Sequence, residues 1–363
     1  MKHYLKKIYF LFVKKFFDLL YSELKVADNN FFKKHIKIKK INLTKNSVKS
    51  YKIYEILKSR IYSDNNENVA IIKDNLIIPK LSVQFKKNFL IEVDKNSVLK
   101  TGTRSLLQKK IFGNVLSLTQ GFSAINNYGH WMIDILPKLC IAEKFKNLNS
   151  FDAIYLPNID HSFQKDTLKY FKISNKKFIN GKNIKHIYAD KFTIPQHPYW
   201  KLNKHQFATA NMDREMIKIL RSKFLNTIKK HKKKKIFIDR SDSIFPHSQI
   251  ENYPEVIKVL KYYGFEIIKL TNIPFKDQIS YFYNAKIVVG AHGAGLSNVI
   301  FCNPRTKLVE ILSWRFKTDL LKNISIINKL QYNRLISSKK PPPLKTLKPD
   351  IYVPIKKLIK LIS

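Results

Sequence analysis

Cysteine is nearly absent from this chain. With only Cys140 and Cys302 in 363 residues, it can build neither a disulfide framework nor a four-cysteine zinc centre, and the scarcity fits a reducing compartment. Acidic residues are scarce too: 26 Asp and Glu stand against 68 Lys and Arg, a formal charge of +42. Such a field draws polyanions, whether nucleic acid, anionic headgroups, acidic glycans or nucleotide diphosphates. The joint abundance of Lys, Ile and Asn is equally what compositional drift in an AT-rich genome produces. Zinc-finger spacing, an RNP-type aromatic strand and a helix-turn-helix are all missing, so charge alone does not make this a specific nucleic-acid binder. The N-terminal stretch also lacks a long apolar run. Its longest, Ile8 to Val13, is too short to span a membrane and shorter than a usual signal-peptide core. No DxD-type acidic cluster is present to hold a metal.

What is present suffices for packed domains. Hydrophobic residues make up 44% and aromatics 13%, and the length accommodates two cores. Leu5, Ile8, Phe12, Phe16 and Leu19 recur at helical spacing, with Lys6, Lys7 and Lys14 mostly on the other side. Residues 1–25 therefore read as a basic amphipathic helix suited to an anionic membrane surface, or as an ordinary surface helix of its own domain. Residues 26–66 are polar, Lys/Asn-rich and weakly periodic. Strand-like stretches follow at 69–79, with Asp74-Asn75 as a turn, then at 89–93 and 115–118. A helical stretch at 127–145, a strand at 154–157, a helix near 163–171 and a strand at 186–190 suggest alternating β and α units and a parallel sheet.

The second half is more regular. A helix over 208–230 and a strand over 232–240 precede a helix ended by Gly264 and a strand at 265–270. A helix opened near Pro274, a strand from 286, a short helix at 293–302 and a strand at 307–312 complete a doubly wound order. The expected segments are 1–25, a first α/β domain over 26–204, a nucleotide-binding Rossmann-like domain over 205–336, and a proline-rich connector with a basic helix over 337–363.

Three stretches carry candidate chemistry. In VVGAHGAGLSNVIF (288–301), a strand ends at Gly290 and glycines bracket His292. Gly293 and Gly295 let backbone approach a ligand, and the following helix start suits a diphosphate. The pattern is neither a Walker phosphate loop nor GxGxxG, and a tight turn holding a packed histidine is the plainer alternative. In NNYGHWMIDILPKL (126–139), His130 and Asp134 share a helix face, and Pro137 should kink the helix. Such a pair can orient and deprotonate a hydroxyl, or simply satisfy itself beside a core. In FIDRSDS (237–243), Arg240 closes a strand and can grip a pyrophosphate in bidentate fashion, or serve an ordinary salt bridge. Gln278 is read as a tie to the neighbouring loop. Glu310 falls in a buried strand, where an acid needs a partner such as a ribose diol or a lysine.

Together, NYGHWMIDILPKL and IFIDRSDS…FKDQISYFYNAKIVVGAHGAGLSNVIFCNP…VEI resemble glycosyltransferase family 61, the capsular-polysaccharide-biosynthesis type, over roughly residues 120–312. The resemblance implies a GT-B-like α/β architecture of two Rossmann-like, doubly wound domains facing a cleft, and inverting transfer that needs no metal or other cofactor. By position, it implies that His130 and Asp134 line the acceptor side as catalytic residues. Arg240, His292, Gly293, Ala294, Gly295 and Asn298 would hold the donor diphosphate and sugar, and Glu310 would approach the nucleoside. The family often has Arg-Lys where this chain reads Arg240-Ser241, and its usual basic cluster is replaced by Ile244-Phe245-Pro246-His247. The expected partners are a nucleotide-sugar donor and a glycan or lipid-linked acceptor in surface polysaccharide synthesis. The expected location is the cytoplasm, peripheral on the inner membrane face. The rivals are another nucleotide-sugar-processing enzyme on the same fold and a polyanion-binding α/β protein without transferase activity.

Overall fold

The structure is a computed structural model that describes residues 2–64, 68–86, 89–119, 126–199, 212–242, 248–314, 318–338 and 350–363. The chain divides into two compact units, residues 1–209 and 210–363. The expected Ser243 to His247 segment and most of the proline-rich connector lie outside the described residues.

In the first unit, eleven described strands share one sheet: β1 (Lys25–Val26), β2 (Ile36–Asn42), β3 (Ser50–Ser63), β4 (Asn68–Lys73), β5 (Leu76–Ile77), β6 (Val83–Lys86), β7 (Phe89–Leu90), β8 (Lys109–Ser117), β9 (Ala153–Leu156), β10 (Phe178–Asn180) and β11 (His186–Pro195). The expected parallel sheet is there: β11, β8, β9 and β10 run parallel in that spatial order. It is half of the structure. β3 joins β11 antiparallel along nine residue pairs and carries β2 and β4 antiparallel on its other edge. The stretch read as polar and weakly periodic thus supplies the longest strand. Its lysines mask the signal, because Tyr51, Ile53, Ile56 and Ile61 are fully buried in β3 while its lysines face out. The Asp74-Asn75 turn between β4 and β5 is as expected: both residues have positive φ, 49° and 60°, the conformation a two-residue hairpin requires. An N-terminal helix, α1 (Lys2–Tyr21), precedes the sheet. Among the described residues, no helix is long and apolar enough to cross a membrane.

The second unit is a five-stranded, wholly parallel sheet of β12 (Lys234–Asp239), β13 (Phe265–Lys269), β14 (Ala285–Ala291), β15 (Lys307–Leu312) and β16 (Gln331–Ile336). Their spatial order is β13-β12-β14-β15-β16, the doubly wound arrangement whose strand order reverses between β12 and β14. Helices cover both faces. Val256 and Leu260 of the helix Tyr253–Tyr262 and Leu358 and Ile362 of the helix Ile355–Ile362 pack with Phe237, Val289, Val309 and Ile311. Phe224, Phe275 and Phe301 interlock edge to face elsewhere. Gly264 closes the first of those helices with φ of 75°, a left-handed position that glycine takes without strain. The helix expected over 208–230 is described as Arg214–Leu225. Asp213 starts it, because its side chain accepts from the Met216 amide at 2.9 Å.

The C-terminal segment belongs to this core. Residues 350–353 run beside 249–252: the Ile351 amide donates to the Gln249 carbonyl, the Glu251 amide donates to the Ile351 carbonyl, and the Asn252 side chain pairs both ways with Val353. Ile351, Val353, Leu358 and Ile362 are all fully buried.

Candidate active site

In the first unit, the candidate side chains hang on an interrupted helix. Asn127 caps the turn Tyr128–His130 by accepting from the His130 amide. Residues Trp131–Ile135 then form a π-turn in which the Leu136 amide reaches back to the Trp131 carbonyl. The helix resumes over Leu136–Phe145 with Pro137 in its first turn. Pro137 has no amide to give to Ile133, so the chain widens just ahead of it, where a kink was expected. π-turns of this kind recur at functional sites.

The His130–Asp134 pair forms as the spacing requires. His130 Nδ1 lies 2.7 Å from Asp134 Oδ2. A third residue, with no signal in the local sequence, completes the cluster: His197, just beyond β11, places Nε2 3.1 Å from Asp134 Oδ1. A carboxylate only accepts, so each ring nitrogen donates. Asp134 is wholly buried, as is His197 for the most part, while His130 keeps a solvent-facing edge. Burial alone would raise the Asp134 pKa; the two imidazole bonds outweigh it and hold the group down at about 2. Burial drives His197 down to about 4, against the pull of Asp134. One helical turn on, Lys138 is also fully buried and donates to the Leu118 carbonyl at 2.7 Å. Burial lowers its pKa to about 7. The arrangement fixes the orientation of the His130 ring through the bond from Nδ1 to Asp134.

In the second unit, Arg240 follows β12 and the loop His292–Gly293 follows β14, so both stand at the reversal point of the sheet. Ligands of open α/β sheets gather outside the carboxyl ends of strands there. Arg240 Nη1 donates to the His292 carbonyl at 2.5 Å, and its guanidinium lies across Gly293: a Cβ on that glycine would sit 2.6 Å from Arg240 Cζ. Gly293 is extended, with φ of 177°, so a side chain there would meet the guanidinium and not backbone strain. The Gly295 position differs from the expectation that its backbone faces a ligand. A Cβ there would meet Leu270 Cδ1 at 2.7 Å, which makes Gly295 a packing glycine in this structure. Ala294 opens the Ala294–Phe301 helix, which is of 3₁₀ type.

A second histidine–carboxylate pair lies in this loop. His292 Nδ1 is 2.5 Å from Glu310 Oε1, and Tyr332 Oη donates to Glu310 Oε2. Arg334 Nε in turn donates to Tyr332 Oη at 2.8 Å. Glu310 has no exposed surface and both its oxygens are engaged, so the structure gives it His292 and Tyr332 where a ribose was expected. Burial, with Glu310 beside it, raises the Tyr332 pKa. Asn298 is likewise buried and donates to Gln278 Oε1 at 3.2 Å, while Gln278 donates to the carbonyls of Leu270 and Ile273. The reading of Gln278 as a tie to the loop matches these bonds, and Asn298 is on the same tie.

A depression of about 170 Å³ adjoins Arg240, lined by Asp239, Ser241, Gln249, Tyr253 and Ala291 among others. Asp239 is held at its rim by the Tyr253 hydroxyl at 2.7 Å and by Ser241. Among the described residues, no three His, Cys, Asp or Glu side chains converge as a cation site.

The family Glycosyltransferase 61 matches residues 128–309, half of the chain, from the His130 turn to the strand holding Glu310. A beta-1,2-xylosyltransferase of Arabidopsis thaliana is 32% identical over 66 residues, 18% of this chain and 12% of that protein. Beta-1,2-xylosyltransferase RCN11 of Oryza sativa subsp. japonica is 35% identical over 60 residues, 16% and 11% of the respective lengths. The chain therefore aligns with about a tenth of the length of these curated relatives. Among solved structures, the iron-containing dodecameric glycosyltransferase TibC from enterotoxigenic E. coli H10407 aligns over 78% of this chain and 79% of its own, at 13% identity and a TM-score of 0.35.

Proposed function

The chain belongs to glycosyltransferase family 61 and is a glycosyltransferase, and from that premise we propose that it transfers a sugar, with inversion and without a metal, from a nucleotide-sugar donor to a glycan or lipid-linked acceptor in surface polysaccharide synthesis. The observation that carries this reading is the guanidinium of Arg240 laid over Gly293 at the reversal point of the second sheet. A fixed cation and a bare backbone side by side suit a diphosphate leaving group. Arg240 and the amides of Gly293 and Ala294 neutralise charge as the nucleotide departs, which is the service a metal would otherwise give. His292, oriented by Glu310, which Tyr332 holds in turn, lines the donor's diphosphate or sugar. Glu310 acts on the donor through His292.

At the anomeric carbon, the acceptor oxygen attacks as the bond to the diphosphate breaks, a single displacement. His130 Nε2 takes the acceptor proton. Asp134 fixes its tautomer and stabilises the imidazolium that forms, because a carboxylate held at about 2 by two bonds is a weak base. The enzyme works in the cytoplasm as a peripheral protein of the inner membrane face.

The test is calorimetric titration of nucleoside diphosphates into the folded protein and its variants, with circular dichroism as the folding check. Arg240→Ala should weaken binding by about 1.5–3 kcal/mol, the usual worth of a charge-assisted bond. Arg240→Lys should restore part of that, lacking the planar fork. Unchanged affinity in Arg240→Ala would remove the donor from this loop.

A further inference from the structure

The outer face of α1 is apolar and largely exposed. Tyr9, Phe12, Phe16, Leu19 and Leu20 all stand exposed, Phe12 at 71% and Leu19 at 86%. They fall within about a third of the helix circumference, at steps of three and four. The opposite face, with Phe10, Val13, Lys14, Phe17 and Tyr21, is half-buried against the unit.

The helix is seated on a prepared socket. Arg60, itself buried in β3, donates through Nη2 to the Tyr21 carbonyl at 2.8 Å and lies 5.5 Å over the Tyr21 ring. His186 packs edge-on to the same ring, and Gly102 leaves no room for a Cβ beside Phe17. Tyr21 Oη donates to the Leu106 carbonyl at 2.9 Å, which ties the next loop to the end of the helix. That loop exposes Leu106 and Leu107, the latter at 85%, between Arg104 and the pair Lys109 and Lys110, all exposed.

We propose that the outer face of α1 and the Leu106-Leu107 loop form one docking surface for an anionic lipid bilayer. This deepens the peripheral placement proposed above and is independent of the transfer chemistry. Bulky side chains of this kind enter the boundary between headgroups and acyl chains, while flanking cations meet phosphates. Charge selects the occupant. α1 carries Lys2, Lys6, Lys7 and Lys15 besides Lys14, which is paired with Asp18 and Glu23, in a chain of formal charge +42. A second copy of so cationic a chain is repelled from this face, whereas an anionic membrane attracts it. Because the socket holds the helix, the membrane meets an ordered face and does not have to fold it.

The experiment is co-sedimentation of the full chain with phosphatidylcholine vesicles, with and without phosphatidylglycerol. Two neutral double variants are compared: Phe16→Ser with Leu19→Ser, and Leu106→Ser with Leu107→Ser. Binding should require phosphatidylglycerol, weaken as salt rises, and fall by about tenfold or more in each variant. Nucleoside diphosphate affinity should be the same in all three proteins, so a loss of that affinity would count against the donor site and leave the surface standing. Equal vesicle binding by the variants and the parent would reduce the surface to bulk charge and overturn the proposal. So would a parent that ignores the vesicles, or one that is dimeric and made monomeric by the serine substitutions, the sign that a second copy covers the face.

Discussion

Replacing Asp134 with Asn preserves shape and removes both a charge and an acceptor. Asp134 accepts one bond from His130 Nδ1 and one from His197 Nε2. The amide offers a single oxygen and two N–H groups. One histidine must therefore lose its acceptor or turn its own nitrogen into one. If His130 does so, its proton moves to Nε2, the atom that should receive the acceptor's proton. The rate cost is that of a lost general base, about a hundredfold to ten-thousandfold, or about 3–5 kcal/mol of barrier. The fold also loses something. The carboxyl drops from an ordinary 3.8 to about 2 on folding, worth about 2 kcal/mol. Because the folded value is depressed, this stability is present above about pH 4 and lost as pH falls through about 2. The assay is release of nucleoside diphosphate from the nucleotide sugar that thermal shift selects, with calorimetry as the binding control. Asp134→Asn should keep donor affinity and lose turnover. His130→Ala should lose as much, and the double variant little more, because the two act as a unit. If Asp134→Asn keeps over about a third of the parent's turnover, the loss predicted for a general base is absent and the dyad is not the base.

Gly293→Ala should mimic Arg240→Ala in weakening nucleoside diphosphate binding, since its Cβ displaces the guanidinium. Gly295→Ala should act chiefly on stability through Leu270, and equal losses of affinity in thermal-shift titrations would contradict that division. His197 and His186 are buried with pKa values pushed down to about 4 and about 3, so the unfolded chain binds protons that the fold refuses. Stability should therefore fall as pH drops below about 6.5 toward 4, and melting curves of His197→Gln should show a flatter dependence. Deleting residues 350–363 uncovers four fully buried side chains, a loss of about 6–12 kcal/mol. The product should be insoluble or protease-sensitive in its second unit; a well-folded, cooperative melt would show that the segment is an appendage.

Local pattern made the second unit readable. Each of its strands is a short apolar run between helical segments, and the glycine-flanked His292 loop stands out against a chain with few glycines. The His130–Asp134 pair was readable because four residues on a helix fix their distance. His197 was not: it is 63 positions from Asp134, and only the parallel pairing of β8 with β11 and the exit from β11 bring it there. Tyr332 was hidden likewise, since its role depends on β15 lying beside β16. Register across strands has no local signal. The long strand β3 was obscured by composition, as Lys52 and Lys58 stand among its exposed positions and the run Ile53–Ile56 is buried throughout, which blurs the alternation. Gly295 shows a different gap: sequence reveals that a side chain is excluded without revealing whether a ligand or a leucine excludes it.

The strap formed by residues 350–362 bears on how the chain is made. During synthesis, β12 to β16 can all leave the ribosome while one face of their sheet is covered only in part, by the helix Tyr253–Tyr262. The partners that cover it, Ile351, Val353, Leu358 and Ile362, follow about a hundred residues after Asn252, the residue they clip onto. The first unit, whose strands are complete by Pro195, can settle while the second waits. Until the last turn of helix is out, the nascent second unit presents an apolar face to its surroundings, and chaperone attendance or aggregation should concentrate in that interval.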